Sequence, residues 1–291
     1  MRVFRFSHEA MSTVFAIAIA GKTGKYAGQA ARAAFDEIDR MESLFSRFDP
    51  TSEISRLNRL GPGQKIRIGV ETAGILRLAA EMEKATGGAF SVNRPPGWTL
   101  DGKNLPLGRV ISVKSRTGSF EAMRPKSPFS ALDLDLGGIG KGYSLDAAAA
   151  VLADWEVTNA FLDAGTSTVL GLGPGPGAGR RSLRPTRPGW PVQITLPSPA
   201  PRKTIYLDGR ALSGSGLEIK GSHIYDPRTG SPARRAKTIV WASWPTAAGA
   251  DALSTAFFVM SLPEIERFCR SHQEVLAAVI TSRKKCKIFN E

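Results

Sequence analysis

The segment Asp133-Leu134-Asp135-Leu136-Gly137-Gly138-Ile139-Gly140-Lys141-Gly142-Tyr143-Ser144-Leu145-Asp146 has the residue types of an anion-binding turn. An apolar strand ends in alternating aspartates. Four glycines follow within six residues, and glycine lets a ligand approach the backbone and permits turns closed to other residues. An alanine-rich helix comes next, and the free N–H groups of a helix start attract anions. Lys141 adds a movable positive charge, and Asp133 and Asp135 could accept hydrogen bonds from a base or sugar. The segment reads as a nucleotide- or pyrophosphate-binding turn. It is not a P-loop, because Gly142 stands where Ser or Thr must follow the lysine. Nor is it the dinucleotide fingerprint, because Tyr143 takes the place of the third glycine. By itself the pattern fits a tight turn before a packed helix equally well.

Two other groups carry chemistry. Asp251 and Thr255 are four apart at the start of an expected helix, so both face one side. One carboxylate, one hydroxyl and a few backbone carbonyls suit a hard cation such as Mg²⁺, and Ser254 could also reach it. The competing reading makes Asp251 a helix cap. His223 is one of three histidines. Its neighbours Asp226-Pro227-Arg228-Thr229-Gly230 read as a turn, which suits a site residue on a loop. A histidine there could serve as general base or simply donate a hydrogen bond.

The elements that must hold these residues are readable in outline. Arg2 to Phe6 and Val14 to Ala20 read as strands. Residues 24–44 read as an amphipathic helix, with Ala27, Ala31, Ala34, Phe35, Ile38 and Met41 at helical spacing. Asp49 followed by Pro50 reads as an N-cap and first-turn proline, opening a helix that ends near Asn58. Val70 to Thr86 is a further helix closed by Gly87-Gly88. Residues 93–128 are expected to form an irregular excursion with short strands. Helix is expected over 144–155, 248–260 and 263–272. Strands are expected over 160–163, 192–196, 204–207, 238–243 and 275–281. The stretch 171–190, with Gly-Pro-Gly-Pro-Gly and four arginines, is expected to be a mobile loop. Helices and strands mix without regular alternation, which indicates an α+β fold.

Composition bounds the class. The 291 residues, 42% hydrophobic and 22% charged, suffice for one large globular domain spanning 1–291. No apolar run approaches the ~20 residues of a membrane helix. The run Val14 to Ala20 is too short for a secretory core and follows Glu9. The expected location is therefore cytoplasmic, or periplasmic if the true start lies upstream. Cys269 and Cys286 have no metal-type spacing. Of the net charge of +13, eleven charges sit in three segments without acidic residues: Arg180, Arg181, Arg184 and Arg187; Arg234, Arg235 and Lys237; Arg283, Lys284, Lys285 and Lys287. These segments lack interleaved aromatics and any nucleic-acid motif, so no nucleic-acid partner is expected. They read as a solvated surface that collects anions.

Taken in order, the chain has Met11-Ser12-Thr13, Ser46-Arg47-Phe48-Asp49 and Ser52-Glu53-Ile54-Ser55-Arg56-Leu57-Asn58 before the glycine turn. After it come Phe161-Leu162-Asp163-Ala164-Gly165, Ala211-Leu212-Ser213-Gly214-Ser215-Gly216, His223-Ile224-Tyr225-Asp226-Pro227-Arg228-Thr229-Gly230 and Ala250-Asp251-Ala252-Leu253-Ser254-Thr255. This series resembles the signatures of the ApbE family, the FAD:protein FMN transferases, from about Met11 to about Met260. The resemblance implies an α+β fold with a mixed, largely antiparallel sheet core, a smaller second lobe and the ligand between them. It implies Mg²⁺-dependent transfer of FMN from FAD to a Ser or Thr hydroxyl of an acceptor protein, releasing AMP. The alternatives are an FAD pyrophosphatase giving FMN and AMP, and an impaired FAD-binding protein. It assigns the metal to Asp251, Thr255 and the carbonyl of Gly138, FAD contacts to Met11, Phe48, Asp135, Lys141 and Tyr225, and a catalytic place to His223. Met11 and Phe48 would pack on flat rings. The chain departs from the family at Gly165-Thr166-Ser167, usually Gly-Gly-Asp, at Phe90-Ser91, commonly Phe-Asp, and at Phe48, often tyrosine.

Overall fold

A computed structural model of the chain describes residues 1–94, 106–116, 119–126, 132–165, 167–177, 188–194, 203–216, 224–233, 237–281 and 285–290. The first hairpin pairs β1 (Val3–Ala10) with β2 (Thr13–Ala20), register Ala10 to Thr13. Its two-residue turn, Met11-Ser12, has φ of 49° and 57°. Such left-handed hairpin turns favour Asn-Gly, so both side chains are held there at a steric cost. Helix α1 (Gly24–Phe45) follows, with Thr23 accepting a bond from the Tyr26 N–H. It buries Ala27, Ala31, Ala34, Phe35, Ile38 and Met41, the stripe expected from the spacing.

The smaller lobe comes next. It contains α2 (Glu53–Asn58), β3 (Lys65–Ile68), α3 (Val70–Ala85), α4 (Leu107–Val110), β4 (Ser112–Arg116) and β5 (Ser119–Met123). The three strands form an antiparallel sheet in the order β3-β5-β4. Helix α2 starts three residues after the expected position. Ser52, not Asp49, is its N-cap and accepts from the Ser55 N–H at 3.0 Å. Asp49 spends its carboxylate on the Thr51 N–H and hydroxyl instead, a local turn that competes with helix initiation.

The larger lobe completes the chain with α5 (Gly140–Asp154), β6 (Ala160–Asp163), β7 (Thr168–Leu172), β8 (Trp190–Ile194), β9 (Lys203–Leu207), β10 (Arg210–Gly216), β11 (Lys237–Trp244), α6 (Ala247–Val259), α7 (Leu262–Ser271), β12 (Leu276–Thr281) and β13 (Cys286–Phe289). Its eight-stranded sheet runs β1-β2-β6-β7-β10-β11-β12-β13, and every pairing is antiparallel. Helices α1, α5 and α6 pack on one face. The β8–β9 hairpin covers part of the other, through Ile194 and Leu207 against Phe161, Val169 and Leu212.

Helix α6 is buried on nearly every side, Leu253, Phe257 and Phe258 included. Each such side chain contributes about 1.5–3 kcal/mol relative to exposure, which fixes this helix more firmly than any surface helix. Lys237, counted above among surface charges, is buried. Its ammonium donates to the carbonyls of Phe258 and Met260 at the α6 C-terminus, where a cation complements the helix dipole. Residues 178–187, with the four arginines of the expected loop, lie outside the described residues. Its ends are anchored: the buried Trp190 indole donates to Asn159 Oδ1 and to the Leu172 carbonyl. Among the described residues no helix is long and apolar enough to cross a membrane.

Candidate active site

Between the first hairpin, the end of α1 and the start of α5 lies a cleft of about 490 Å³, a size that suits a cofactor-scale ligand. Met11, Phe48, Asp135 and Lys141 all line it, together with Arg47 and Arg94. Tyr225 is not in its wall. The Ser46 hydroxyl accepts from the N–H groups of Phe48 and Asp49 at 3.2 and 3.1 Å. Ser52 and Ser55 donate to the Ser46 carbonyl. That turn aims Arg47 and Phe48 at the cleft. The Phe48 ring is 89% exposed, so it lies at the cleft mouth and packs in no core.

Asp135 is the electrostatic centre of this wall. Its Oδ2 accepts from Arg47 at 2.9 Å and from Arg94, and its Oδ1 accepts from the Gly137 N–H at 2.9 Å. Arg47 also reaches Asp133 at 3.4 Å. Burial opposes the charge on Asp135, yet the Gly137 N–H and the two guanidiniums outweigh it and hold the carboxyl below its usual range. Asp135 is thus an anion at neutral pH, with its acceptors already oriented.

The segment bearing it is not the expected strand. Only an isolated bridge joins Leu134 to Asn93. Amide side chains supply the remaining bonds. Asn58 donates to the Leu134 carbonyl at 3.0 Å and accepts from its N–H at 2.7 Å. Asn93 accepts from the Asp133 N–H at 2.9 Å. The helix after it also starts earlier than expected, at Gly140 rather than Ser144, so Gly140, Lys141 and Gly142 form its first turn. The reason is close packing. A Cβ on Gly142 would sit 2.3 Å from the Ala247 carbonyl oxygen, so only glycine lets α5 and α6 touch there.

That contact assembles the second half of the site. Asp251 is fully buried, and its Oδ2 accepts from the Gly142 N–H at 3.3 Å. Thr255 lies one turn further along α6. Its Oγ1 is buried and has no hydrogen-bond partner among the described residues, and it would lie 3.3 Å from a Cβ on Gly138. Gly137 and Gly140, on either side of Gly138, line the cleft. Thr255 therefore stands against Gly138 beside the cleft, with Asp251 one turn back on the same helix against Gly142. An unsatisfied buried hydroxyl beside a buried carboxylate and a side-chain-free backbone fits a hard cation. Among the described residues no cluster of three or more His, Cys, Asp or Glu could hold a metal. Such a cation would complete its shell with water and phosphate oxygens, as Mg²⁺ commonly does.

Ser254 sits elsewhere on the helix. Its hydroxyl lies 3.1 and 2.9 Å from those of Ser213 and Ser215 and donates to the Asp251 carbonyl at 3.0 Å. Thr168 extends this buried network at 2.9 Å from Ser213. The network ties α6 to β7 and β10, and it explains why the serine-rich β10 is a central strand. His223 lies outside the described residues. Tyr225, two residues later in the sequence, pairs with Pro232 and is 45% exposed. The turn that follows is fixed by Asp226, which accepts from the Arg228 N–H, while the Arg228 guanidinium also bonds Glu264 at 2.7 Å.

Arg47, Arg94, Asn58 and Asp146 were not singled out from the sequence as site residues. Arg47 and Asn58 lie within the Ser-Arg-Phe-Asp and Ser-Glu-Ile-Ser-Arg-Leu-Asn motifs, and Asp146 closes the glycine-turn segment. Arg94 carries no local signal. Asp146 accepts from the N–H groups of Ala247 and Ala248 at 2.7 and 2.9 Å. Burial pushes its carboxyl up to about 6 despite these bonds, and Asp251 nearby adds to the rise.

The ApbE family model matches residues 11–280. The fold is similar to that of the Pseudomonas stutzeri flavinyl transferase ApbE in its apo form, with a TM-score of 0.79, 17% identity and coverage of 99% of this chain and 94% of that one. It is also similar to the ApbE protein of Thermotoga maritima, with a TM-score of 0.76, 23% identity and coverage of 98% and 96%. The flavin transferase ApbE of Vibrio cholerae gives a TM-score of 0.74, 19% identity and coverage of 99% and 96%. No curated protein matches the sequence.

Proposed function

Because the chain belongs to the ApbE family, we propose that it transfers FMN from FAD to a Ser or Thr hydroxyl of an acceptor protein, with Mg²⁺ as the metal. The observation that supports this reading is the contact of α5 and α6 beside the cleft, which sets Thr255 against Gly138 and Asp251 against Gly142. In this reading the cleft takes FAD. Met11 and Phe48 pack on its rings, Asp135 accepts from base or sugar, and Lys141 with the first turn of α5 faces the pyrophosphate. The acceptor oxygen bonds the FMN-side phosphorus. The bond from that phosphorus to the bridging oxygen breaks, and AMP leaves with the electron pair. His223 is the proposed base for the hydroxyl proton, by its place in the His-Ile-Tyr-Asp-Pro segment. Tyr225 is the proposed flavin contact beside it. Asp251 and Thr255, with the Gly138 carbonyl, would hold Mg²⁺; Ser254 holds the helix that presents them. The ion would supply neutralisation of phosphate charge, the main requirement of phosphoryl transfer.

The test is Asp251→Ala. It should weaken Mg²⁺ binding and cut FAD turnover at least ~100-fold, about 3 kcal/mol of lost electrostatic stabilisation. Near-normal turnover at limiting Mg²⁺ in the folded variant would remove Asp251 from the metal site.

A further inference from the structure

The start of α6 has more donors than its own residues can satisfy. A helix begins with four N–H groups that lack intrahelical partners. Thr246 meets one locally, accepting from the Gly249 N–H at 3.2 Å, and its carbonyl accepts from Ala250 at 3.0 Å. The N–H groups of Ala247 and Ala248 are met from another helix, by the two oxygens of Asp146 at 2.7 and 2.9 Å. A return bond runs the other way, from the Gly142 N–H of α5 to Asp251 of α6 at 3.3 Å.

These bonds form a closed figure. Gly142 and Asp146 are one turn apart on α5, and Ala247 and Asp251 are one turn apart on α6. Each gap is about 6 Å of helix rise. Between them Gly142 lets the two backbones touch, with the Ala247 carbonyl 2.3 Å from where a Cβ would stand. A carboxylate that uses both oxygens cannot rotate without losing a bond. The pair of attachments therefore fixes both the separation of the helices and the rotation of α6 about its axis. That rotation decides where Asp251 and Thr255 point relative to Gly138.

We propose that Asp146 is a positioning residue for the metal site: by gripping the first turn of α6 from α5, it sets the rotation that brings Asp251 and Thr255 to Gly138. The inference rests on the metal reading of those three residues. It differs from plain helix capping, because a cap stabilises α6 whatever its orientation.

The test uses Mn²⁺ alone as probe, with the full chain and no flavin, well below the melting temperature. Affinity is read by calorimetry or by the spin resonance of free Mn²⁺. Asp146→Ala should raise the Mn²⁺ Kd at least about tenfold, the effect usual for a partner that orients a metal ligand. Asp146→Asn keeps one acceptor oxygen and should fall between the two. An Asp146→Ala protein that is folded, has a lower melting temperature and binds Mn²⁺ with wild-type affinity overturns the proposal and leaves Asp146 a structural cap. Wild-type protein that binds no Mn²⁺ overturns the metal reading and this inference together. Amide exchange in the wild type supplies a readout that needs no variant to fold. Mn²⁺ should slow exchange at Ala247 and Ala248, and unchanged exchange there with Mn²⁺ bound contradicts the coupling.

Discussion

Gly142→Ala tests the helix contact on which the site depends. The added Cβ would meet three backbone atoms: the Ala247 carbonyl oxygen at 2.3 Å, its carbon at 2.6 Å and the Ala248 Cα at 2.7 Å. No side chain can swing aside, so the helices themselves must part. An ordinary carbon–oxygen contact is about 3.3 Å, which requires a shift of about 1 Å. Overpacking of this kind costs about 1–3 kcal/mol, and each kcal/mol lowers the melting temperature by about 2–4 °C in a chain of this size class. The functional loss should be larger than the stability loss. The shift stretches the Gly142–Asp251 bond and carries Gly138 away from Thr255, and a misplacement of about 1 Å can cost about 100-fold in rate. The assay pairs a thermal melt with AMP release from FAD and Mg²⁺ at a temperature where the variant is fully folded. Gly108→Ala is the control, since no atom of the described residues lies within 4 Å of a Cβ there. Melting temperature and turnover both within twofold or 2 °C of wild type in Gly142→Ala would refute the close contact.

Two further outcomes follow from the backbone and from burial. Ser12→Gly should relieve the left-handed residue at φ 57°, worth about 1 kcal/mol, and raise the melting temperature by about 2–4 °C; a lowered melting temperature contradicts the turn. Burial raises the Asp163 carboxyl to about 6 against the Gly165 N–H, and its Oδ1 has no hydrogen-bond partner among the described residues. The folded state therefore binds that proton more tightly than the unfolded chain. Asp163 should cost stability progressively as pH rises from about 4 to about 6, up to about 3 kcal/mol above that window. Asp163→Asn should be more stable than wild type at pH 7.5 and equal at pH 4; equal melting at both pH values contradicts the burial.

Periodic elements were legible because their signal is local. The Ala27-to-Met41 stripe places α1 at 24–44 against the observed Gly24–Phe45, and the Val14 run places β2. Elements built on distant partners were not. Strand β10 reads Arg-Ala-Leu-Ser-Gly-Ser-Gly, too polar for a central strand until Thr168 and Ser254 supply partners for its serines. The aspartate segment looked like a strand because its alternation is strand-like, but Asn58 and Asn93 replace strand neighbours. In the cleft, the glycine turn was legible as a turn before a helix that could take an anion. The Arg47 and Arg94 pairing with Asp135 was not legible, since 88 and 41 residues separate the partners. The same holds for Asp146, whose two partners are about a hundred residues away. Helix–helix contact at Gly142 is a property of two backbones, and one sequence window cannot show it.

The most direct test of the central reading is incubation of the protein with FAD, Mg²⁺ and the proteins of its own host cell, followed by mass spectrometry of peptides and nucleotides. The account predicts AMP release matched by a Ser- or Thr-bearing peptide that has gained FMN, with neither product when Mg²⁺ is chelated. AMP matched only by free FMN, or FAD that stays bound and intact, would contradict it.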